Sequence, residues 1–361
     1  MMLSASGLAL HAWWALRWDG LGILKPSSPS GAELPDSCSV VVCCHNEAPR
    51  VAGFHEALRP ALNHAAARGV HVQVVAVNHG STDSTPEALE ALKESSGWTV
   101  VHQARTRLSK KEALEAGMAA ATGQVVVVTD IDCTPLAPEW LDMMLCGAFS
   151  HWDVCVGLSL PGRGIGWLHV LQRLEAERSA QKAVGAVVRG RPYLGFGRNM
   201  AFTREMWTRV GGMSNHDHVR SGDDDLWLQE AVALGARVAT NTSVSAQTAS
   251  SWPSTWDGWR RQKTRHLSAS SVYPVATLTR LALPTVGTVI LAAGVVHNPS
   301  GTSVLCAGSA LLLRAVTFGL FLHRAGRPPL RAWTLLLEPA VGLFRGWSWW
   351  KGATTDSTAW K

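Results

Sequence analysis

The stretch Val125-Val126-Val127-Val128-Thr129-Asp130-Ile131-Asp132-Cys133-Thr134-Pro135 decides how the chain is read. Four consecutive β-branched residues bounded by polar and turn residues predict a strand buried on both faces of a sheet. The strand ends in two carboxylates, Asp130 and Asp132, and strand alternation sends their side chains to opposite faces. Such a tip suits the carboxyl edge of a parallel sheet. There one carboxylate holds a divalent cation and the other binds a ligand hydroxyl. Taken alone, an Asp-x-Asp reads as readily as a solvated turn, so the segments on either side carry the decision.

Outward from this stretch, between Cys38 and about Thr240, strands and helices alternate. Further strands are expected at Ser39–Cys44, Val72–Val77, Thr99–His102, Val154–Leu158 and Arg237–Ala239. Helical patterns fall at about 50–67, 85–95, 110–121, 138–149, 166–187 and 224–234. The alternation predicts an α/β fold with a mostly parallel sheet and right-handed crossovers. Val51, Phe54, Leu58 and Leu62 recur at helical spacing, which marks a core face.

Composition narrows the class. Hydrophobic residues are 47% and charged residues 17% of 361, the formal net charge is +6, and there are 17 Trp against 2 Tyr and 7 Phe. Trp is favoured at membrane–water interfaces and on sugar-stacking surfaces, and basic charge suits anionic headgroups or a nucleotide diphosphate. No clustered Lys/Arg run or nucleic-acid motif is present, which argues against nucleic acid as a partner. The cysteines number 7, an odd count. With no Cys-x-x-Cys and apolar strand-like surroundings, they read as reduced, buried small hydrophobes of a cytosolic domain.

The ends of the chain differ from its middle. Leu8–Trp18 is apolar and Trp-rich but too short to span a bilayer, and it lacks the layout of a secretory signal. An interfacial helix, or the remnant of a transmembrane one, is expected there, followed by a Pro/Ser/Gly linker over 25–37. Residues 276–297 and 301–322 are each long enough to cross a membrane, with Arg280 near one end of the first and Arg314 in the middle of the second. The loop between them has no Lys or Arg, whereas His323-Arg324 through Arg331 is basic, which predicts cytoplasmic flanks. Residues 332–350, with Trp333, Trp347, Trp349 and Trp350, suit an amphipathic helix in the interface. The expected organisation is an N-terminal helix and linker over 1–37, an α/β domain over 38–255, an interfacial helix over 256–275 and a membrane module over 276–361.

Three strand ends place polar groups on one edge: Cys44-His45-Asn46-Glu47, then Val77-Asn78-His79-Gly80-Ser81-Thr82-Asp83, then Asp130 and Asp132. Ser109-Lys110-Lys111-Glu112-Ala113-Leu114 opens a helix with a capping Ser and two cations, and Lys110 is a candidate to neutralise a diphosphate. Downstream lie Tyr193-Leu194-Gly195-Phe196-Gly197-Arg198-Asn199-Met200-Ala201-Phe202 and Ser221-Gly222-Asp223-Asp224-Asp225-Leu226. Three adjacent carboxylates repel one another, which raises one pKa toward the range of a general base, while the helix N-terminus opposes that shift. His216, Asp217 and His218 lack a zinc spacing and read as loop or acceptor-site residues.

In this order the motifs resemble a membrane-associated family 2 glycosyltransferase with the GT-A nucleotide-sugar fold, in the superfamily of cellulose and hyaluronan synthases. The resemblance covers about Cys38 to His266. It implies a UDP- or GDP-sugar donor held by Glu47, Asn78, Lys110 and Asp130, with Asp132 ligating Mg2+ or Mn2+. It places the general base at Asp224 or, one position away, at Asp223. Asn199, Gly197, Asp225 and His266 fall at the acceptor side. Trp259-Arg260-Arg261-Gln262-Lys263-Thr264-Arg265-His266 resembles the Gln-x-x-Arg-Trp motif of the membrane-embedded synthases, in which Arg265 and Gln262 would meet the donor diphosphate. Two departures stand out. Asn78-His79 replaces the usual Asp-Asp, and an amide cannot act as a carboxylate. His266 replaces Trp, which leans the reading toward one-sugar transfer rather than chain elongation. The Gly-Asp-Asp-Asp-Leu run, the Gln-Lys-x-Arg-His-Leu run and the terminal Trp360-Lys361 are similar to a Bacteroidota-like bacterial subgroup.

The implied function is an inverting, metal-dependent hexosyl transfer to a lipid-linked or glycan acceptor at the bacterial inner (plasma) membrane, with the catalytic domain in the cytoplasm. The alternative is a non-catalytic membrane scaffold that retains a nucleotide-binding fold, which the Asn78-His79 departure favours and the acidic runs oppose.

Overall fold

The computed structural model describes residues 2–17, 33–104, 106, 110–162, 164–219 and 221–354. Most of the 25–37 linker, the capping Ser109 and the terminal Trp360-Lys361 lie outside the described residues. The described residues form two units: one from the segments between 33 and 162 and between 192 and 253, the other from 2–17, the segment between 164 and 191, and 254–354.

The first unit holds strands β1 (Ser37–Cys44), β2 (His71–His79), β3 (Thr99–Gln103), β4 (Val125–Asp130), β5 (Cys133–Pro135), β6 (Val154–Gly157), β7 (Ser159–Pro161), β8 (Asn199–Thr203), β9 (Val238–Asn241) and β10 (Thr248–Ser250). The four valines of β4 are buried on both faces, as their β-branched run predicts. In the main sheet the order is β3-β2-β1-β4-β8-β6-β9. Strands β3, β2, β1 and β4 run parallel, and Val40 of β1 pairs with Val127 of β4. After β1 the chain builds outward through β2 and β3, then returns to the other side of β1 for β4. That reversal opens a crevice beyond the carboxyl ends of β1 and β4, the usual ligand position of an open α/β sheet.

Helices α2 (Ala48–Ala67) and α5 (Trp140–Cys146) flank the sheet, contributing Val51, Phe54, Leu58, Trp140 and Leu141 to a buried cluster with Val40, Val42, Val125 and Val127. Also in this unit are α3 (Thr85–Ser96), α4 (Lys110–Ala120), α7 (Arg204–Val210) and α8 (Asp225–Ala233). Trp227 of α8 is fully buried with its ring 4.5 Å from that of Phe202.

Two features were not anticipated. β8 lies antiparallel between β4 and β6, although its sequence sits within a Gly-rich stretch. A second small sheet, β5-β10-β7, is built from three-residue strands, too short to carry a period. All seven cysteines are unpaired, and six of them are buried.

The second unit is helical: α1 (Met2–Arg17), α6 (Gly166–Val188), α9 (Trp256–Ser268), α10 (Val275–His297), α11 (Gly301–Arg324) and α12 (Glu338–Thr354). The segment 164–191 groups with these helices, whereas the sequence reading placed it inside the 38–255 domain. α10 and α11 are long and apolar enough to cross a membrane by length and composition, and Val286, Val289, Val304, Leu305, Leu312 and Val316 face outward from them. α1 packs on α10 so closely that a Cβ on Gly294 would stand 2.4 Å from Ser4 Oγ, a small-residue contact of the kind that lets apolar helices approach. Arg314, the charge in the middle of α11, is paired with Glu338, which also binds Arg178 of α6. Glu175 on α6 is held likewise, by Lys263 at 2.5 Å and Arg345 at 3.3 Å. Charges inside apolar helices are tolerated when paired in this way.

Candidate active site

The carboxyl edge of the sheet unit is braced before any ligand enters. Asn46 adopts a left-handed conformation (φ 56°), which Asn tolerates better than most residues. Its side-chain oxygen accepts the Thr82 N–H at 2.8 Å, and its own N–H donates to Ser81 Oγ at 3.0 Å. Asp83 accepts from the Thr85 hydroxyl at 2.5 Å, and that hydroxyl oxygen accepts the Glu47 N–H at 2.8 Å. The β1 and β2 loops therefore form one rigid rim. Glu47 itself is buried and paired with Arg50.

Asn78 and His79 are buried at the tip of β2. Asn78 accepts the Ser81 N–H at 3.2 Å and donates to His102 Nδ1 at 3.0 Å, and His102 in turn meets Glu90 at 2.9 Å. His79 Nε2 lies 2.7 Å from Glu112 Oε2. Where the resembled family carries two carboxylates, this chain carries an amide and an imidazole, each tied to a side chain from a neighbouring element.

The acidic groups converge on one lysine. Lys110, at the start of α4, donates to Asp130 Oδ1 at 2.5 Å and stands 3.6 Å from Asp223 Oδ2. Burial alone would lower its pKa, but Asp130 and Asp223 more than reverse this and hold it well above the ordinary lysine range. Asp224 caps α8, accepting the Asp225 N–H at 2.8 Å and the Gly197 N–H at 2.9 Å. Burial and then the charge of Asp223 push its carboxyl up to about 6, against the opposing pull of the Gly197 N–H, Lys110 and the Asp225 N–H. The glycines of the 193–202 stretch make this approach possible: a Cβ on Gly197 would lie 3.3 Å from Asp224 Cβ and 3.4 Å from Asp223 Oδ2.

Asp132 is half-buried, and burial followed by the charge of Asp130 raises its pKa. A divalent cation would relieve both effects. Among the described residues no group of three or more His, Cys, Asp and Glu converges to hold a cation without help. A hard cation such as Mg2+ or Mn2+ beside the Asp132 carboxylate would need diphosphate oxygens and water to complete its shell.

Two predicted acceptor residues turn inward. Asn199 has no exposed surface. Its oxygen accepts the Trp140 indole N–H at 3.0 Å and its amide donates to the Leu158 and Ala246 carbonyls at 2.9 and 2.8 Å. Asp225 is buried and accepts the Gly195 N–H at 3.0 Å. Both shape the site from behind, and Gly197 acts through its backbone. Asn199→Ala is expected to lower stability by about 2–4 kcal/mol, because three buried polar partners lose their bonds. Chemical denaturation measures this, and a loss below about 0.5 kcal/mol would remove the structural assignment. Gln262, Arg265 and His266 lie on α9 of the helical unit, where Arg265 Nη2 and His266 Nε2 are 3.5 Å apart.

Sequence reasoning passed over Arg198. It donates to Ser250 Oγ at 2.9 Å, lies 5.7 Å over the Trp252 ring, and its charge lowers the pKa of Asp132. It stands inside the Gly-rich stretch already singled out, so a cation flanked by glycines was the available signal.

The edge thus gathers a metal-competent carboxylate, two cations and a carboxylate poised near neutrality, a set suited to transfer from a diphosphate donor. Residues 39–212 match the family model described as glycosyl transferase family 2. Among solved structures the chain is similar to the mannosyltransferase PcManGT from Pyrobaculum calidifontis in complex with GDP-Man and Mn2+, at 20% identity and TM-score 0.55 over 98% of this chain and 94% of that one. Looser likenesses are to glucosyl-3-phosphoglycerate synthase from Mycobacterium tuberculosis in complex with Mn2+ and UDP-Glc (17% identity, TM-score 0.40, 69% and 83% covered) and to S. aureus TarS (15%, 0.41, 88% and 54%). No curated protein matches the chain. The first likeness, over nearly the whole of both chains, shows the GT-A type of fold.

Proposed function

We propose, with the match of residues 39–212 to the glycosyl transferase family 2 model as the premise, that the protein is a membrane-bound, metal-dependent inverting glycosyltransferase. Its donor is a UDP- or GDP-sugar and its acceptor the hydroxyl of a lipid-linked molecule or glycan. One observation carries the reading. Lys110 bridges Asp130 of the donor-side strand and Asp223 of the acidic run, which brings the two halves of a transfer site into one cluster.

Asp224 takes the proton of the acceptor hydroxyl as its oxygen attacks the anomeric carbon. The bond from that carbon to the diphosphate breaks on the opposite side, so configuration inverts and nucleoside diphosphate leaves. Lys110 and Arg198 offer positive charge to the leaving diphosphate, and Asp132 would hold the cation. When bound, the cation supplies Lewis-acid neutralisation of the diphosphate. The rigid rim of Asn46, Glu47, Asn78 and Ser81 suits the nucleoside, with an amide at position 78 as hydrogen-bonding group. For Gln262, Arg265 and His266 on α9, donor and acceptor roles are proposed from the motif resemblance alone. The outward apolar faces of α10 and α11, with exposed Trp333, Trp347, Trp349 and Trp350 nearby in the chain, support residence in a bilayer. A bacterial inner-membrane location with the sheet unit in the cytoplasm is proposed on the basic 323–331 segment.

Nucleotide release by detergent-solubilised protein tests the proposal, with UDP- and GDP-sugars in Mn2+, Mg2+ or EDTA. Release with one donor that EDTA abolishes is expected. If no donor is turned over and calorimetry detects no metal-dependent nucleotide binding, the scaffold reading takes its place.

A further inference from the structure

Between α7 and α8 the chain crosses from Gly211 to Asp224 with, among its described residues, a single 3-10 turn at Ser214–His216. A connection of this kind has little to hold it in place, yet it delivers Gly222, Asp223 and Asp224. Three side chains from helices on either side secure it. Glu115 of α4 accepts the Met213 N–H at 2.6 Å. Glu230 of α8 lies 3.2 Å from His216 Nδ1. Lys111, one residue beyond Lys110, donates from Nζ to the carbonyl oxygens of His216 and Val219, both at 2.6 Å. Lys111 is 1% exposed.

We propose that Lys111 is a positioning residue for the general base: its buried ammonium holds the 213–222 connection through two backbone carbonyls and so sets where Asp223 and Asp224 stand. The inference rests on the transferase reading above. Adjacent lysines at a helix start point about 100° apart around the axis, which explains their division of labour. Lys110 turns to Asp130 and Asp223, and Lys111 turns to the backbone that leads to Asp223 and Asp224. An ammonium out of water needs hydrogen-bonded partners, and charge-assisted bonds are roughly twice as strong as neutral ones. The groups facing Lys111 are Asp223 and Asp224 before α8, Glu230 on α8, and His216. The three carboxylates favour its charge, but burial outweighs them and takes its pKa down to about 8. His216 is in turn held below its ordinary range by burial and by Lys111. A pKa below that of a lysine released into water means that opening the clasp takes up a proton, so the free energy of opening should rise as pH rises through about 8.

The test compares wild type with Lys111→Met and Lys111→Gln, using whichever UDP- or GDP-sugar the release panel turns over, with hydrogen exchange over 213–224. Displacing a catalytic group by about 1 Å costs on the order of 100-fold. The Met variant should therefore lose about 10- to 100-fold in kcat while its donor KM stays within about twofold. Gln, which keeps one donor, should fall between Met and wild type. Amide protection over 213–224 should drop in both variants while that of β1 and β4 holds, and a rise in that protection between pH 7 and 9 should be present in wild type and absent from both variants. If the Met variant does not fold, the kinetics of the Gln variant and the wild-type rise of 213–224 protection between pH 7 and 9 decide the matter. Protection over 213–224 unchanged in the variants, or a pH-dependent rise that persists in the Gln variant, overturns the proposal. Should the wild type transfer no sugar, the exchange arm still tests the clasp while the transferase reading falls. Intact transfer with unmoved 213–224 protection does the reverse.

Discussion

Asp224→Asn is expected to lower kcat by about 100- to 10,000-fold, the usual span for loss of a general base, with metal-dependent nucleotide binding retained. The reason lies in the contrast between the two central carboxylates. Asp223 stands 3.6 Å from the Lys110 ammonium. Asp224 is pushed up to about 6 by burial and by Asp223, so it is ionised at neutral pH yet retains affinity for a proton. Because the base must be ionised, kcat/KM should fall as pH drops through about 6. Removing Asp223 relieves the repulsion and moves that limb to lower pH, whereas Lys110→Met removes an attraction and moves it higher. The Asn side chain can keep one of the two backbone bonds to Asp225 and Gly197, so circular dichroism should show a folded protein. If Asp224→Asn stays within tenfold of wild type and Asp223→Asn does not, the base is Asp223.

The acid limb depends on geometry that the sequence conveys only in pieces. Val40–Val42, Val74–Val77 and Val125–Val128 announce three buried parallel strands by composition alone, and their polar tips locate the edge of the sheet. Those signals are local, and local signals survive in one dimension. What could not be read is which polar groups meet. Lys110 and Lys111 are equivalent as letters, and only the packing of α4 turns one toward Asp130 and the other toward the carbonyls of His216 and Val219. Asn199 follows a Gly-rich run that suggests an open loop, but Trp140, 59 residues earlier, takes its side chain inward. Arg314 looked out of place in an apolar helix because its partner, Glu338, lies 24 residues further on. In each case the missing information was a long-range contact, where tertiary packing overrides the local pattern.

Asp132→Ala should have the largest effect on metal use. Metal-dependent transfer is expected to fall by at least about a thousandfold, since the cation supplies several kcal/mol of leaving-group stabilisation in such sites. Calorimetric titration with nucleotide should give the same affinity in Mn2+ and EDTA for the variant and different affinities for wild type. Stability should move the other way. The folded-state pKa of Asp132 is raised, by burial first and then by Asp130, so the folded protein favours the protonated form more than the unfolded chain does. Whatever stability that group lends at low pH is lost as pH rises through its folded pKa, and at neutral pH the ionised carboxylate is a net cost. Without metal, Asp132→Ala should therefore melt at or above the wild-type temperature, while added Mn2+ and nucleotide raise the melting temperature of wild type alone. A variant that melts well below wild type would assign Asp132 a structural role. Residual activity that EDTA still abolishes would place the cation on another residue, with Asp130 the first to examine. A carboxylate that destabilises the empty protein and stabilises the loaded one is the pattern expected of a group kept for its ligand rather than for the fold.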